Sequence, residues 1–276
     1  LLSGDMALIV ACIFLALFGF FGGMHGVAFN FLMSKVIPTN KRGKLIGMRN
    51  FLGGLIAAGV AYVGGEYLVG SNAFGNGYGS TFMLAFILTS IGISALTFVR
   101  EPKSLTVRKK SSGFRQRIAE IPALLKGDDD YRKFFYARAL GALGTVAVPF
   151  YVLYAGQYVS LSGATLGYFS LAFLMSQTIS NLLWGKIADA KGYRLVFLLS
   201  MALWGISTLL LICGASLAVF IIAFCGLGAG FGGYQVASNN FVLEFGKSHE
   251  LPMLIAVSDT ASHLMMAFGS LLGGII

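Results

Sequence analysis

Eight apolar runs alternate along the chain with polar segments, at 6–31, 47–69, 80–99, 134–156, 163–184, 194–213, 216–242 and 253–276. Each is close to the ~20 residues that a helix needs to cross a bilayer. All are too long and too unbroken for barrel strands, which run about 9–11 residues with alternating polarity. The pattern predicts an all-α, polytopic membrane protein. Between two of the runs lies residues 185–194, GKIADAKGYR, with two Gly, an Asp, two Lys and an Arg in ten residues. Such a segment cannot lie in hydrocarbon, so a tight turn at one membrane surface is expected.

Composition agrees with this class. Of 276 residues, 57% are hydrophobic and 11% charged, where a soluble domain carries about 25% charged residues. Cys12, Cys213 and Cys225 all fall inside apolar runs and read as small buried hydrophobes, without disulfide or metal spacing. The formal charge of +9 would suggest anionic partners in a soluble protein, but its placement explains it differently. The 20 Lys and Arg fall on alternate connections: around 35–49, through 100–133, at 186–194 and at Lys247, with Arg138 just inside its run near the same surface. The connections 70–79, 157–163 and 214–215 carry none. Basic loops collected on one side predict eight crossings of a plasma (inner) membrane with those loops cytoplasmic. The excess charge is then a topology signal, and no nucleic-acid partner is expected.

The longest connection divides the chain into 1–100, a linker at 101–133, and 134–276. Inside it, Phe114, Ile118, Ile121 and Leu125 recur at helical spacing with Arg115, Arg117 and Glu120 between them, which predicts a short helix on the inner surface. A faint repeat runs through the chain. Phe21-Gly22-Gly23 and Asn30-Phe31 correspond to Phe231-Gly232-Gly233 and Asn240-Phe241, and Asn50 corresponds to Asp259. Two similarly oriented halves with a six-span repeat unit would produce this offset. The chain opens at Leu1 without Met and closes inside an apolar run, which reads as incomplete at both ends.

Gly185, Asp189, Gly192 and Arg194 have the spacing Gly-x-x-x-Asp-x-x-Gly-x-Arg. This resembles the signature of the major facilitator superfamily, where it occupies the cytoplasmic loop between the second and third helices of each six-helix half. The eight runs are similar to that family's fourth to eleventh helices, which implies two pseudo-symmetric helical bundles, here incomplete at both ends. The resemblance further implies that this loop packs at the start of the 47–69 run, near Gly47, Met48 and Arg49. Each residue of the motif has a physical rationale. Gly185 admits another backbone close by, Gly192 permits the turn, and Asp189 is able to accept free amides at a helix start. Arg194 and Lys186 are placed to hold that carboxylate or to meet anionic headgroups. Gly185, Asp189, Gly192, Arg194 and Arg49 are therefore the candidate gating residues, with Asp189 bridging the halves in an outward-facing state.

Ionisable groups inside a membrane are costly unless paired, hydrated or protonated. Asp259, Glu66, His25 and His263 lie within apolar runs and are the candidates for ion coupling. Arg138, near an inner end, reads as a topology determinant able to snorkel. Asn50, Gln177, Asn181, Gln235 and Asn239 are the candidate lining of a substrate cavity, Gln235 and Asn239 sharing a face four residues apart. Pro149 is placed to kink its run.

The expected function is secondary transport of a small solute by alternating access, with protons or another ion as candidate coupling partner and membrane lipids as surroundings. The alternative is a sensor or assembly partner on the same scaffold. No enzyme chemistry, metal or cofactor is expected, because the chain has neither a phosphate-binding Gly-Lys-Ser/Thr loop nor a nucleophile and base set.

Overall fold

The computed structural model describes residues 4–69, 71–98, 113–246 and 250–275. Among them the chain is helical almost throughout and forms no strand. In order come α1 (Gly4–Val36), α2 (Thr39–Val63), α3 (Gly77–Ala95), α4 (Phe114–Gly127), α5 (Asp129–Gly144), α6 (Val148–Ala155), α7 (Gly163–Lys191), α8 (Tyr193–Cys213), α9 (Leu217–Phe241) and α10 (Leu251–Ile275). Arg100, Lys103, Arg108, Lys109, Lys110 and Lys247 lie outside the described residues.

The described residues of each apolar run are helical almost throughout, the run at 134–156 being covered by α5 and α6 with a 3-10 turn, Thr145–Ala147, between them. The break precedes Pro149, whose missing N–H and bulky ring prevent an uninterrupted ladder. Other ends follow side-chain chemistry. Asp128 caps α5 by accepting the amides of Asp130 and Tyr131, both at 2.9 Å, and Ser162 caps α7 through the amide of Thr165 at 3.2 Å. Gly192 ends α7 at φ 83°, ψ 163°, a conformation open essentially to glycine alone.

Six spans among the described residues are long and apolar enough to cross a membrane: 8–36, 77–98, 129–155, 193–213, 217–244 and 251–273. The other two of the eight apolar runs lie in α2 and α7. α2 and α7 are long enough, but α2 begins with Lys41, Arg42 and Lys44, and α7 carries Gln177, Thr178, Asn181, Lys186 and Asp189. Several of these polar residues, Thr178, Asn181 and Asp189 among them, lie where the two helices meet. Elsewhere apolar and exposed coincide, as lipid-facing surfaces require: Phe82 is 77% and Phe86 68% exposed. Cys12 and Cys213 are likewise exposed and Cys225 is half-buried, so the expectation that all three are buried fails for that reason.

The chain forms two compact units. One comprises 1–38, 104–161 and 237–276. Its core includes Tyr131, with 0% exposure, and Phe134, whose ring lies 5.0 Å from Phe241 and 5.3 Å from Phe245. The Tyr131 hydroxyl donates to the Leu254 carbonyl at 2.9 Å, tying α5 to α10. The other unit comprises 39–103 and 162–236. There Phe169 stacks on Phe224 at 4.6 Å, and the Trp184 indole donates to the Ala229 carbonyl at 2.9 Å.

Candidate functional site

The second unit contains a backbone-to-backbone seam. α2 and α7 run antiparallel, with Gly43 beside Gly185 and Asp189, Gly47 beside Asn181, and Gly54 beside Thr178. A Cβ at Gly47 would stand 2.5 Å from the Asn181 carbonyl oxygen. At Gly54 it would stand 2.6 Å from the Thr178 hydroxyl, and at Gly185 it would overlap the Gly43 carbonyl. Small residues at 43, 47 and 54 thus form one face of α2, the kind of surface that lets helices meet closely in lipid. This face was visible in the sequence as a Gly-x-x-x-Gly spacing that the motif at 185–194 overshadowed.

Asp189 closes one end of the seam. Its carboxylate accepts the Gly43 and Lys44 backbone amides, both at 2.7 Å, near the positive end of the α2 dipole. These are charge-assisted bonds, stronger than those between neutral groups. Because Gly43 has no side chain, the carboxylate can reach the backbone. Arg194 is exposed at the second position of α8, and among the described residues no ion pair joins it to Asp189; helix amides occupy the carboxylate. Further along the seam, the Arg49 guanidinium donates to the Asn50 side-chain oxygen at 3.2 and 3.0 Å. The Asn50 amide reaches the Asn181 oxygen at 3.5 Å, and Asn181 in turn donates to the Gln177 carbonyl at 2.8 Å. Two candidate cavity residues, Asn50 and Asn181, are therefore linked through their side chains to Arg49, and Gln177 joins through its backbone carbonyl.

The first unit holds a buried charge pair that the sequence did not reveal. Arg138 on α5, with 6% side-chain exposure, meets Asp259 on α10 at 2.5 Å. The same guanidinium donates to the Ser258 hydroxyl at 2.8 Å and to the Asn239 side-chain oxygen at 3.4 Å. Arg138 therefore does not snorkel: its charge is answered inside the protein, by the carboxylate of the deepest acidic candidate. His263, one turn beyond Asp259, is exposed, and its Nδ1 lies 2.7 Å from the Asp259 carbonyl.

Three candidates remain, Gln235, His25 and Glu66. Gln235 is exposed on α9, as is Asn239 one turn further. His25 is exposed on α1 and stacks against Phe29 at 5.9 Å. The backbone of Glu66 belongs to a π-helical turn, Gly64–Val69, that ends α2; its side chain lies outside the described residues.

Comparison with known proteins bears on this arrangement. The family model of the Major Facilitator Superfamily matches residues 134–276, just over half of the chain. The chain is 28% identical over 263 residues to a hexose-6-phosphate:phosphate antiporter of Escherichia coli K12, covering 87% of this chain and 51% of that protein. It is 26% identical over 267 residues to the protein of the same description in Salmonella typhimurium LT2, with the same coverage of each. The chain thus spans about half the length of the curated relatives it matches.

Proposed function

Because the chain belongs to the major facilitator superfamily and is a multi-pass membrane protein, we propose that it forms part of a carrier that moves a small solute by alternating access. In this carrier, residues 1–100 and 134–276 belong to the two bundles, 101–133 is the cytoplasmic linker, and the basic loops face the cytoplasm. The observation that carries the proposal is the Asp189 carboxylate on the Gly43 and Lys44 amides. It fastens α7 to α2, two helices from opposite sides of the linker, at the end of the seam where the basic residues gather. Separating these helices breaks both bonds, so the contact favours the state closed at that end. Gly185 keeps the backbones close, and Gly192 turns the chain directly after the contact.

Asp189→Ala in the full-length protein tests this. Spin labels on exposed Lys41 and Lys186 positions report the α2–α7 separation at this end. Hydrogen bonds to a charged group are worth about 1.5–3 kcal/mol, so the variant is expected to shift the population toward the separated arrangement by about tenfold or more. An unchanged distance distribution in a normally folded variant would remove the gating role.

For the solute, the relatives' names and the Arg138 cluster support a phosphorylated or inorganic anion. An anion arriving beside Arg138 competes with Asp259 for the guanidinium, as phosphate and carboxylate oxygens make the same bidentate bonds. Asn239 and Ser258 are already within reach of that guanidinium. Proteoliposomes of the full-length protein preloaded with phosphate are expected to take up labelled hexose 6-phosphate, and empty ones are not. Uptake indifferent to internal phosphate but driven by an imposed pH gradient would replace anion exchange with proton coupling.

A further inference from the structure

We propose that α4, in the linker, is an interfacial helix that binds anionic phospholipid, with its basic residues bordering an apolar stripe that enters the bilayer. The proposal rests on the membrane placement of α5, not on the carrier cycle.

Position comes first. One residue, Asp128, separates α4 from α5, and it is extended at φ −139°, ψ 110°. The two helices are therefore separate rods meeting at a corner, and the corner stands where the 129–155 span starts. A helix attached there without continuing into the span is held at headgroup level.

The register of α4 suits that level. At about 100° per residue, positions 114, 118, 121 and 125 fall along one stripe. Arg115 and Lys126 fall on one border of it and Arg117 on the other. Gln116, Glu120 and Ala123 lie on the far side. Ile118 is 50% exposed, while Ile121, Leu124 and Leu125 are half-buried. Cations flanking an apolar stripe, with neutral or acidic residues opposite, let the stripe enter the acyl boundary while the cations stay among phosphates.

The three acids that follow α4 are engaged at the start of α5. Asp128 is engaged in capping α5. Asp129 pairs with Arg132 at 2.9 Å, and Asp130 pairs with Lys133 at 3.3 Å. The acidic run is thus satisfied within the first turn of α5. By sequence α4 carries Arg115, Arg117 and Lys126 against Glu120, a net positive charge, and the complementary surface is a bilayer leaflet containing anionic lipid, toward which each basic residue contributes attraction that salt screens.

The test uses the full-length protein with its native cysteines replaced and one fluorophore attached at a cysteine introduced by Ile118→Cys or, on the opposite face, Gln116→Cys. Each is reconstituted into phosphatidylcholine alone or into equal parts phosphatidylcholine and phosphatidylglycerol, with a quencher on the lipid chains. The expected result is quenching at position 118, stronger when phosphatidylglycerol is present, and little at 116. The phosphatidylglycerol-dependent part should be lost in high salt and in an Arg115→Gln, Arg117→Gln, Lys126→Gln variant. Position 118 unquenched, quenched equally with 116, or quenched to the same degree in both lipids would each overturn the proposal. A buried but unquenched label at 118 would overturn it too, assigning the stripe to a protein surface.

Discussion

Gly47→Leu is expected to drive α2 and α7 apart and to abolish stable folding of the seam. Even the first carbon of the new side chain would sit 2.5 Å from the Asn181 carbonyl oxygen, and that oxygen is backbone, so no rotamer change relieves the overlap. Overpacking a close-packed interior typically costs about 1–3 kcal/mol, and more where the obstacle is rigid. The full-length variant in detergent should show a sharply lowered Tm or fail to purify as a monodisperse species. Gly53→Ala supplies the comparison, since a Cβ there meets nothing within 4 Å. Glycine inside a helix is less stable than alanine by roughly 0.5–1 kcal/mol, so this variant should be as stable as the parent or slightly more so. Equal Tm values for the two would mean that the seam does not hold the helices together.

Arg138→Ala should be nearly as damaging in the other unit. It removes the partner of Asp259 and leaves a carboxylate at a site shaped for a pair. Breaking a buried ion pair from one side costs about 3–5 kcal/mol, largely through the stranded charge. Asp259→Ala should do the same by leaving the guanidinium, whose side chain is 6% exposed, without its counter-charge. The double replacement Arg138→Met with Asp259→Leu should recover most of that loss, because no charge then remains unanswered. A thermal-unfolding cycle over the four proteins measures this. Residues in direct contact give coupling energies of about 0.5–3 kcal/mol; strictly additive losses would show that the two groups do not depend on each other.

The architecture was readable from the sequence because hydropathy is a one-dimensional signal. A run long enough to cross hydrocarbon has few alternatives to a helix, and the described residues of every apolar run are indeed helical almost throughout. Helix ends were less legible. The start of α2 at Thr39 precedes its apolar run by eight residues, and α7 continues past its run to Lys191. Hydropathy marks the lipid slab, whereas a helix continues until a residue such as Pro38 or Gly192 stops it. The same distinction explains the polar residues of α2 and α7 where they meet: a face buried against another helix has no need of apolar character.

Pairing across the chain was the least legible feature. Arg138 and Asp259 are 121 residues apart, and each taken alone has an adequate local explanation, a cation near a membrane surface or an acid near a helix start. Only their approach shows that each answers the other. Asp189 presents a different difficulty. Its spacing marked it as special, but the groups it binds are backbone amides, which every residue except proline possesses, so nothing in the identity of Lys44 marks it as a partner.

The Arg138–Asp259 cluster also has an electrical consequence. A guanidinium and a carboxylate held together carry no net charge, so the transmembrane voltage exerts no net force on whatever segment carries both. One elementary charge moved across the full field would change the energy by about 2.3 kcal/mol per 100 mV. Neutralising either member alone would give the protein a voltage-sensing charge at this depth that the intact pair withholds.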